Sequence, residues 1–181
     1  MQYRETVTLR DGRTCTLRNG TETDAQTSLD VFIRAHEQTD NLLTYPDEIT
    51  YTAEQQAAYL KNKTDSADEV EILAEVDGKV VGMAGIDRVG TCEKLRHRAE
   101  FGVSIDAAYW GLGIGRALTR ACVKCAKDAG YAQLELQAVA DNERALALYR
   151  SEGFTEFGRN PMGFHSRLTG PQELVYMRRE L

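Results

Sequence analysis

Tyr109-Trp110-Gly111-Leu112-Gly113-Ile114-Gly115-Arg116-Ala117-Leu118 holds three glycines at alternate positions. The preceding Glu100-Phe101-Gly102-Val103-Ser104-Ile105 reads as a strand, and an amphipathic helix follows. Glycine lets backbone N–H groups approach a ligand with no Cβ in the way. A helix N-terminus adds orphan donors and a partial positive charge, which together suit an anion, most often phosphate. The spacing excludes two common phosphate binders. A Walker loop needs Gly-Lys-Ser/Thr five residues after its first glycine. Counted from Gly111, those places hold Arg116, Ala117 and Leu118. A dinucleotide fingerprint needs Gly-x-Gly-x-x-Gly, and its last place falls on Arg116 or Leu118. A metal-free pyrophosphate cradle and a helix-start turn with no ligand both remain.

Outward from this loop, 181 residues suit one domain over 1–181, with a single core. Apolar residues make up 42% and charged residues 28%, an ordinary globular balance. A formal charge of −6 argues against nucleic acid and is compatible with a cationic substrate. There is no apolar run of membrane-spanning length, and Met1-Gln2-Tyr3-Arg4-Glu5 is not an apolar leader, so the expected location is cytoplasmic, with no membrane partner. Cys122 and Cys125 form a Cys-x-x-Cys, a spacing that can signal metal or redox chemistry. They also fall on the apolar stripe Leu118, Ala121, Cys122, Cys125, Ala126, Ala129, which makes them core thiols and calls for no metal.

Thr6 to Leu9 and Thr14 to Arg18 read as a hairpin around Asp11-Gly12. Thr21–Asp24 opens a helix running to about Gln38, with Leu29, Phe32, Ile33 and His36 on one face. A second helix starts near Thr50 to Thr52 and passes Leu60; Asn62 to Glu69 reads as polar loop. Glu71–Val76 and Lys79–Val89 form a hairpin at Asp77-Gly78, followed by the His97–Ile105 strand. The Arg116–Asp128 helix, with Gly130 past its end, leads to the strand Gln133–Ala138. Asp141-Asn142 caps another helix. Thr155–Arg159 and Glu173–Arg178 are strands separated by a long loop over Asn160–Pro171, the last of them at or near an edge. The order ββααβββαβαββ describes a mixed sheet with helices on its faces.

Two motifs now resemble the GNAT superfamily of acetyl-CoA-dependent N-acyltransferases. The first is Val103-Ser104-Ile105, five residues, then Gly111-Leu112-Gly113-Ile114-Gly115. The second is Asn142-Glu143-Arg144-Ala145-Leu146-Ala147-Leu148-Tyr149, with Gly153-Phe154 following. The resemblance covers about residues 70 to 160. It implies an α/β (α+β) fold with a mostly antiparallel central sheet of about seven strands and about four flanking helices. It also implies acetyl transfer to a primary amine of a small molecule or peptide by direct attack, in a monomer or homodimer. A non-catalytic acyl-CoA sensor on the same fold is the alternative.

By this resemblance the CoA pyrophosphate lies on the amides of Gly111, Leu112, Gly113, Ile114, Gly115 and Arg116. Arg116 and Arg120 either screen the phosphates or are solvated surface. Trp110 stands where the family usually has Gln or Arg, and is expected to pack under the loop. The pantetheine arm would add to the edge of Val103, Ser104 and Ile105, where family members often carry a bulge. A backbone N–H near Val103 would polarise the thioester carbonyl, and Asn142 would contact the pantetheine amides. Tyr149 matches the family's general acid; the plain alternative is a tyrosine on an apolar helix face. Glu100 is the candidate general base, or else the partner of Arg96, His97 or Arg98. The loops Leu42–Tyr45 and Asn160–Gly170, with Phe164, His165 and Arg167, would wall the acceptor. Glu100, Asp47 and Glu48 would favour a cationic amine.

Overall fold

The computed structural model describes residues 1–181. Its strands are β1 (Arg4–Thr8), β2 (Thr14–Asn19), β3 (Val70–Val76), β4 (Lys79–Arg88), β5 (Arg98–Ile105), β6 (Gln133–Val139), β7 (Thr155–Ser166) and β8 (Gly170–Glu180). Its helices are α1 (Ala25–Glu37), α2 (Ala53–Asp65), α3 (Ile114–Asp128) and α4 (Glu143–Ser151). All eight strands join one sheet in the order β1-β2-β3-β4-β5-β6-β8-β7, antiparallel except at β5–β6. Alternation sends Ile72, Ala84, Ile86 and Phe101 to one face, where they pack with Leu118, Cys122 and Leu146 of α3 and α4. Leu73 and Met83 point to the other face and meet Val31 and Phe32 of α1. Cys122 and Cys125 are buried free thiols within the larger core.

Two stretches differ from the sequence expectation, and the sheet has eight strands rather than about seven. The polar run after Leu60 continues α2 to Asp65. Lys63 occupies the inward helical position, so no apolar residue marks it; its ammonium donates to Ile86 O at 3.2 Å and pairs with Asp87. The expected loop Asn160–Pro171 is instead most of a hairpin. Asn160 pairs with Leu174 and Phe164 with Gln172, so Pro161–Gly163 bulge opposite Glu173 alone. A proline is tolerated there because β7 is the sheet edge.

The feature that positions the site is a parting of the central strands. β5 and β6 pair only where Arg98–Glu100 meet Gln133–Glu135, and separate beyond. The β4–β5 register runs unbroken from Gly82↔Ile105 to Arg88↔Ala99, so no bulge causes the opening, contrary to expectation. Backbone groups of β5 alternate in direction. His97 O accepts from Ala132 and Gln133 on the β6 side, whereas Arg98 O accepts from Val89 on the β4 side. Val103 and Ile105 therefore turn their backbone toward the gap. The indole N–H of Trp110 donates to Ile105 O at 2.8 Å. On the β6 side Val103 has no partner strand, its only pairing being with Ala84 of β4.

On the α1/α2 face of the sheet, Glu71 lies buried beside Gly85, where an added Cβ would stand 2.3 Å from its carboxylate. Tyr59 donates to Glu71 Oε2 at 3.0 Å. Burial pushes the Glu71 carboxyl up to about 7, against the pull of Tyr59 and Lys63. Its folded value thus lies above its unfolded one, so the folded state holds the extra proton. Stability is then full below the ordinary glutamate range and falls as pH rises toward 7, by on the order of 2–3 kcal/mol. Glu71→Gln keeps the volume and an acceptor for Tyr59 but cannot ionise. It is expected to raise Tm above wild type at pH 8 by several degrees, and to give little gain at pH 5. Thermal melts at both pH values check this, and an equal difference at both would refute it.

Candidate active site

The parted strands open into a cavity of about 710 Å³ that reaches from the glycine loop to the α1–α2 loop. Its volume falls in the usual range for small-molecule sites. At one end, Gly111 and Gly113 take φ of +86° and +99°, values that side-chain-bearing residues rarely adopt. The β1–β2 turn holds this loop. Arg10 N–H donates to Leu112 O at 3.1 Å, and its guanidinium donates to Gly111 O at 3.3 Å. A trans peptide sets each N–H opposite the preceding carbonyl. The N–H groups of Leu112 and Gly113 therefore point away from the turn. The first intrahelical bond of α3 runs from Ala117 N–H to Gly113 O, leaving Ile114, Gly115 and Arg116 as first-turn donors. This is an anion cradle in shape and polarity.

One expectation at this end is corrected, and the two arginines left open find a partner. Trp110 is 43% exposed and does not pack beneath the loop; its indole is hydrogen-bonded to Ile105 O and lies against the Arg144 guanidinium, 5.6 Å from the ring centre. Arg116 and Arg120 are both tied to Glu152, at 3.1 and 2.8 Å. Arg116 lines the cavity and Arg120 does not.

Along the cavity wall, Tyr149 is buried, edge-on to Phe101 and Phe154 with ring centres 6.1 and 6.0 Å away. No protein group hydrogen-bonds its hydroxyl, and burial pushes its pKa up to about 12. Asn142 caps α4 by accepting from Ala145 N–H at 3.2 Å. Val103 and Ile105 are half-buried and Ser104 is buried. Glu100 is exposed to the cavity, and Gln137 of β6 donates to it at 3.2 Å across the opening. Two of the three alternative partners are occupied elsewhere: Arg98 pairs with Glu135 and Arg96 with Glu93.

The far end is closed by a clasp. Ser166 donates to Asp40 at 2.5 Å, Arg167 N–H donates to Tyr45 Oη at 2.6 Å, and Arg167 pairs with Asp47 at 2.8 Å. Leu42, Leu43 and Phe164 face the cavity; His165, Arg167, Asp47 and Glu48 do not. The acidic contribution expected of Asp47 and Glu48 is therefore absent from the cavity. Sequence reading missed Arg10 and Gln137, which act across 101 and 37 positions and carry no local motif.

The model of the Acetyltransferase (GNAT) family matches residues 33–154. The chain belongs to this family. The GNAT match takes in the parted strands, the glycine loop and α4. N-alpha-acetyltransferase RimI of Mycobacterium tuberculosis is 41% identical over 85 residues, 47% of this chain and 51% of that protein. The chain thus spans about half the length of this curated relative. Among solved structures, the ribosomal-protein-alanine N-acetyltransferase of Brucella melitensis has a TM-score of 0.79 at 28% identity, covering 91% of this chain and 99% of that one. The yncA protein of Salmonella typhimurium, solved with its cofactor acetyl-CoA, has a TM-score of 0.81 at 20% identity, covering 92% and 94%. The fold is therefore that of GNAT proteins. No helix of the GNAT chain is long and apolar enough to cross a membrane.

Proposed function

We propose that the protein transfers an acetyl group from acetyl-CoA to a primary amine of a small molecule or peptide. The observation that carries this is the opening between β5 and β6, which joins the glycine cradle at one end to Glu100 and Tyr149 along its walls. The residues present fit the donor. First-turn amides of α3 and the N–H groups of Leu112 and Gly113 would hold its pyrophosphate. Val103 and Ile105, whose backbone faces the gap, would take the extended arm along the edge of β5, with Ser104 between them and Asn142 flanking it. When bound, acetyl-CoA supplies an activated thioester.

The chain's own groups then have defined tasks. The Val103 N–H donates to the thioester oxygen as charge builds on it. Glu100 accepts the proton that the amine loses as its nitrogen bonds to the carbonyl carbon, directly or through one water. Tyr149 gives its proton to sulfur as the C–S bond breaks. Burial raises the pKa of the phenol, and it also raises that of a thiolate forming beside it, since both anions lose solvation. A cytosolic location accompanies this reading, where the four cysteines remain thiols.

A thiol-release assay with a panel of amines tests the proposal. Turnover supports it. Acetyl-CoA that raises Tm without any turnover would favour an acyl-CoA sensor instead. Glu100→Gln is expected to lower kcat/KM for the acceptor about 100-fold, with the acetyl-CoA-induced rise in Tm retained. Unchanged turnover would remove Glu100 from the mechanism.

A further inference from the structure

Glu100, Gly102 and Ser104 share the α1/α2 face of β5. Across the sheet Gly102 pairs with Gly85, and Gly85 with Glu71. Two adjacent glycines leave this face bare, but only one gap is filled. At Gly85 the Glu71 carboxylate occupies the space; at Gly102 an added Cβ would meet nothing within 4 Å. Gly102 does not have a positive φ, so its backbone does not require glycine. A glycine within a strand marks a close approach by a ligand or another backbone, and here no backbone approaches. The open place lines the cavity beside Glu100.

The charge around it is sparse. Three arginines line the glycine-loop end of the cavity, and Glu100 is its one lining carboxylate. Asp87, opposite Glu100 on β4, is paired with buried Lys63, and Asp47 with Arg167. Leu42, Leu43 and Phe164 complete the acceptor end, and Leu43 is 74% exposed at its mouth with no apolar cover.

Resting on the acetyltransferase reading, we infer that the acceptor lies along the bare strand at Gly102. It is a slender amine with one positive charge in solution, and its apolar chain passes beneath Leu42, Leu43 and Phe164. A second cation would find no carboxylate in the cavity, and a branch beside the nitrogen would use the space above Gly102.

The test compares an alkyl monoamine, the diamine of equal length, and the monoamine with a methyl on the carbon beside nitrogen, using wild type and Gly102→Ala. Wild type should prefer the monoamine over the diamine by about tenfold in kcat/KM. Gly102→Ala should keep Tm and the acetyl-CoA-induced shift, and lose about tenfold more on the branched amine than on the unbranched one. A diamine used as well as the monoamine, or a variant that affects both monoamines equally, overturns the inference. Wild type that turns over none of the three also overturns the inference, and wild type that turns over no amine of the wider panel overturns the acetyltransferase reading itself.

Discussion

Tyr149→Phe is expected to lower kcat by about 10²- to 10⁴-fold, the usual contribution of a positioned acid. The KM for acetyl-CoA should change little. The substitution removes one oxygen and keeps the ring that packs on Phe101 and Phe154. That oxygen has no protein partner, so its loss leaves no buried donor or acceptor unpaired, and Tm should hold or rise. The plain alternative, a tyrosine serving only the apolar face of α4, predicts full activity. Steady-state kinetics with the amine that wild type uses best, together with a thermal melt, separate the two. Unchanged kcat would sink the acid role.

Gly113→Ala should abolish most donor binding. With φ of +99°, an alanine at this position is strained by about 1–3 kcal/mol although its Cβ would meet nothing within 4 Å. The loop relieves that strain by turning its peptides, which misdirects the N–H groups that form the cradle. At about 1.4 kcal/mol per tenfold, the KM for acetyl-CoA should rise roughly 10- to 100-fold. Gly130→Ala is the control. Gly130 follows α3 with φ of +82° and also lacks a Cβ contact, but lies outside the cavity. It should lose comparable stability and retain the KM of wild type. Equal effects of both substitutions on KM would show that the glycine loop acts only through folding.

Local chemistry made part of this molecule legible. The hairpin turns at Asp11-Gly12 and Asp77-Gly78 and the Asn142 cap each depend on a few adjacent residues, and each stands where expected; α3 starts at Ile114, two residues before the expected Arg116. The apolar phase of α3 correctly made Cys122 and Cys125 core thiols. What escaped reading depends on distant partners. Lys63 is buried because Asp87 and Ile86 lie above it, so a polar run concealed a helical turn. Pro161 and Gly163 suggested a loop because nothing local shows that Leu174 packs against Gly163. Arg116 and Arg120 share Glu152, at the end of another helix, a partner that no local pattern announces. The candidate site divides in the same way. The glycine cradle and Tyr149 stand in motifs, whereas the bridge from Gln137 to Glu100 exists only once two strands part.

That parting also bears on how the molecule coheres. β1 to β5 form one continuous slab, and β6, β8 and β7 another, stitched together along the sheet by Arg98–Glu100 and Gln133–Glu135. A wedge-shaped seam thus runs into the middle of the protein, where other folds are most tightly knit. A ligand arm lying along Val103 would act as the missing thread, so that filling the site and fastening the two slabs become one event.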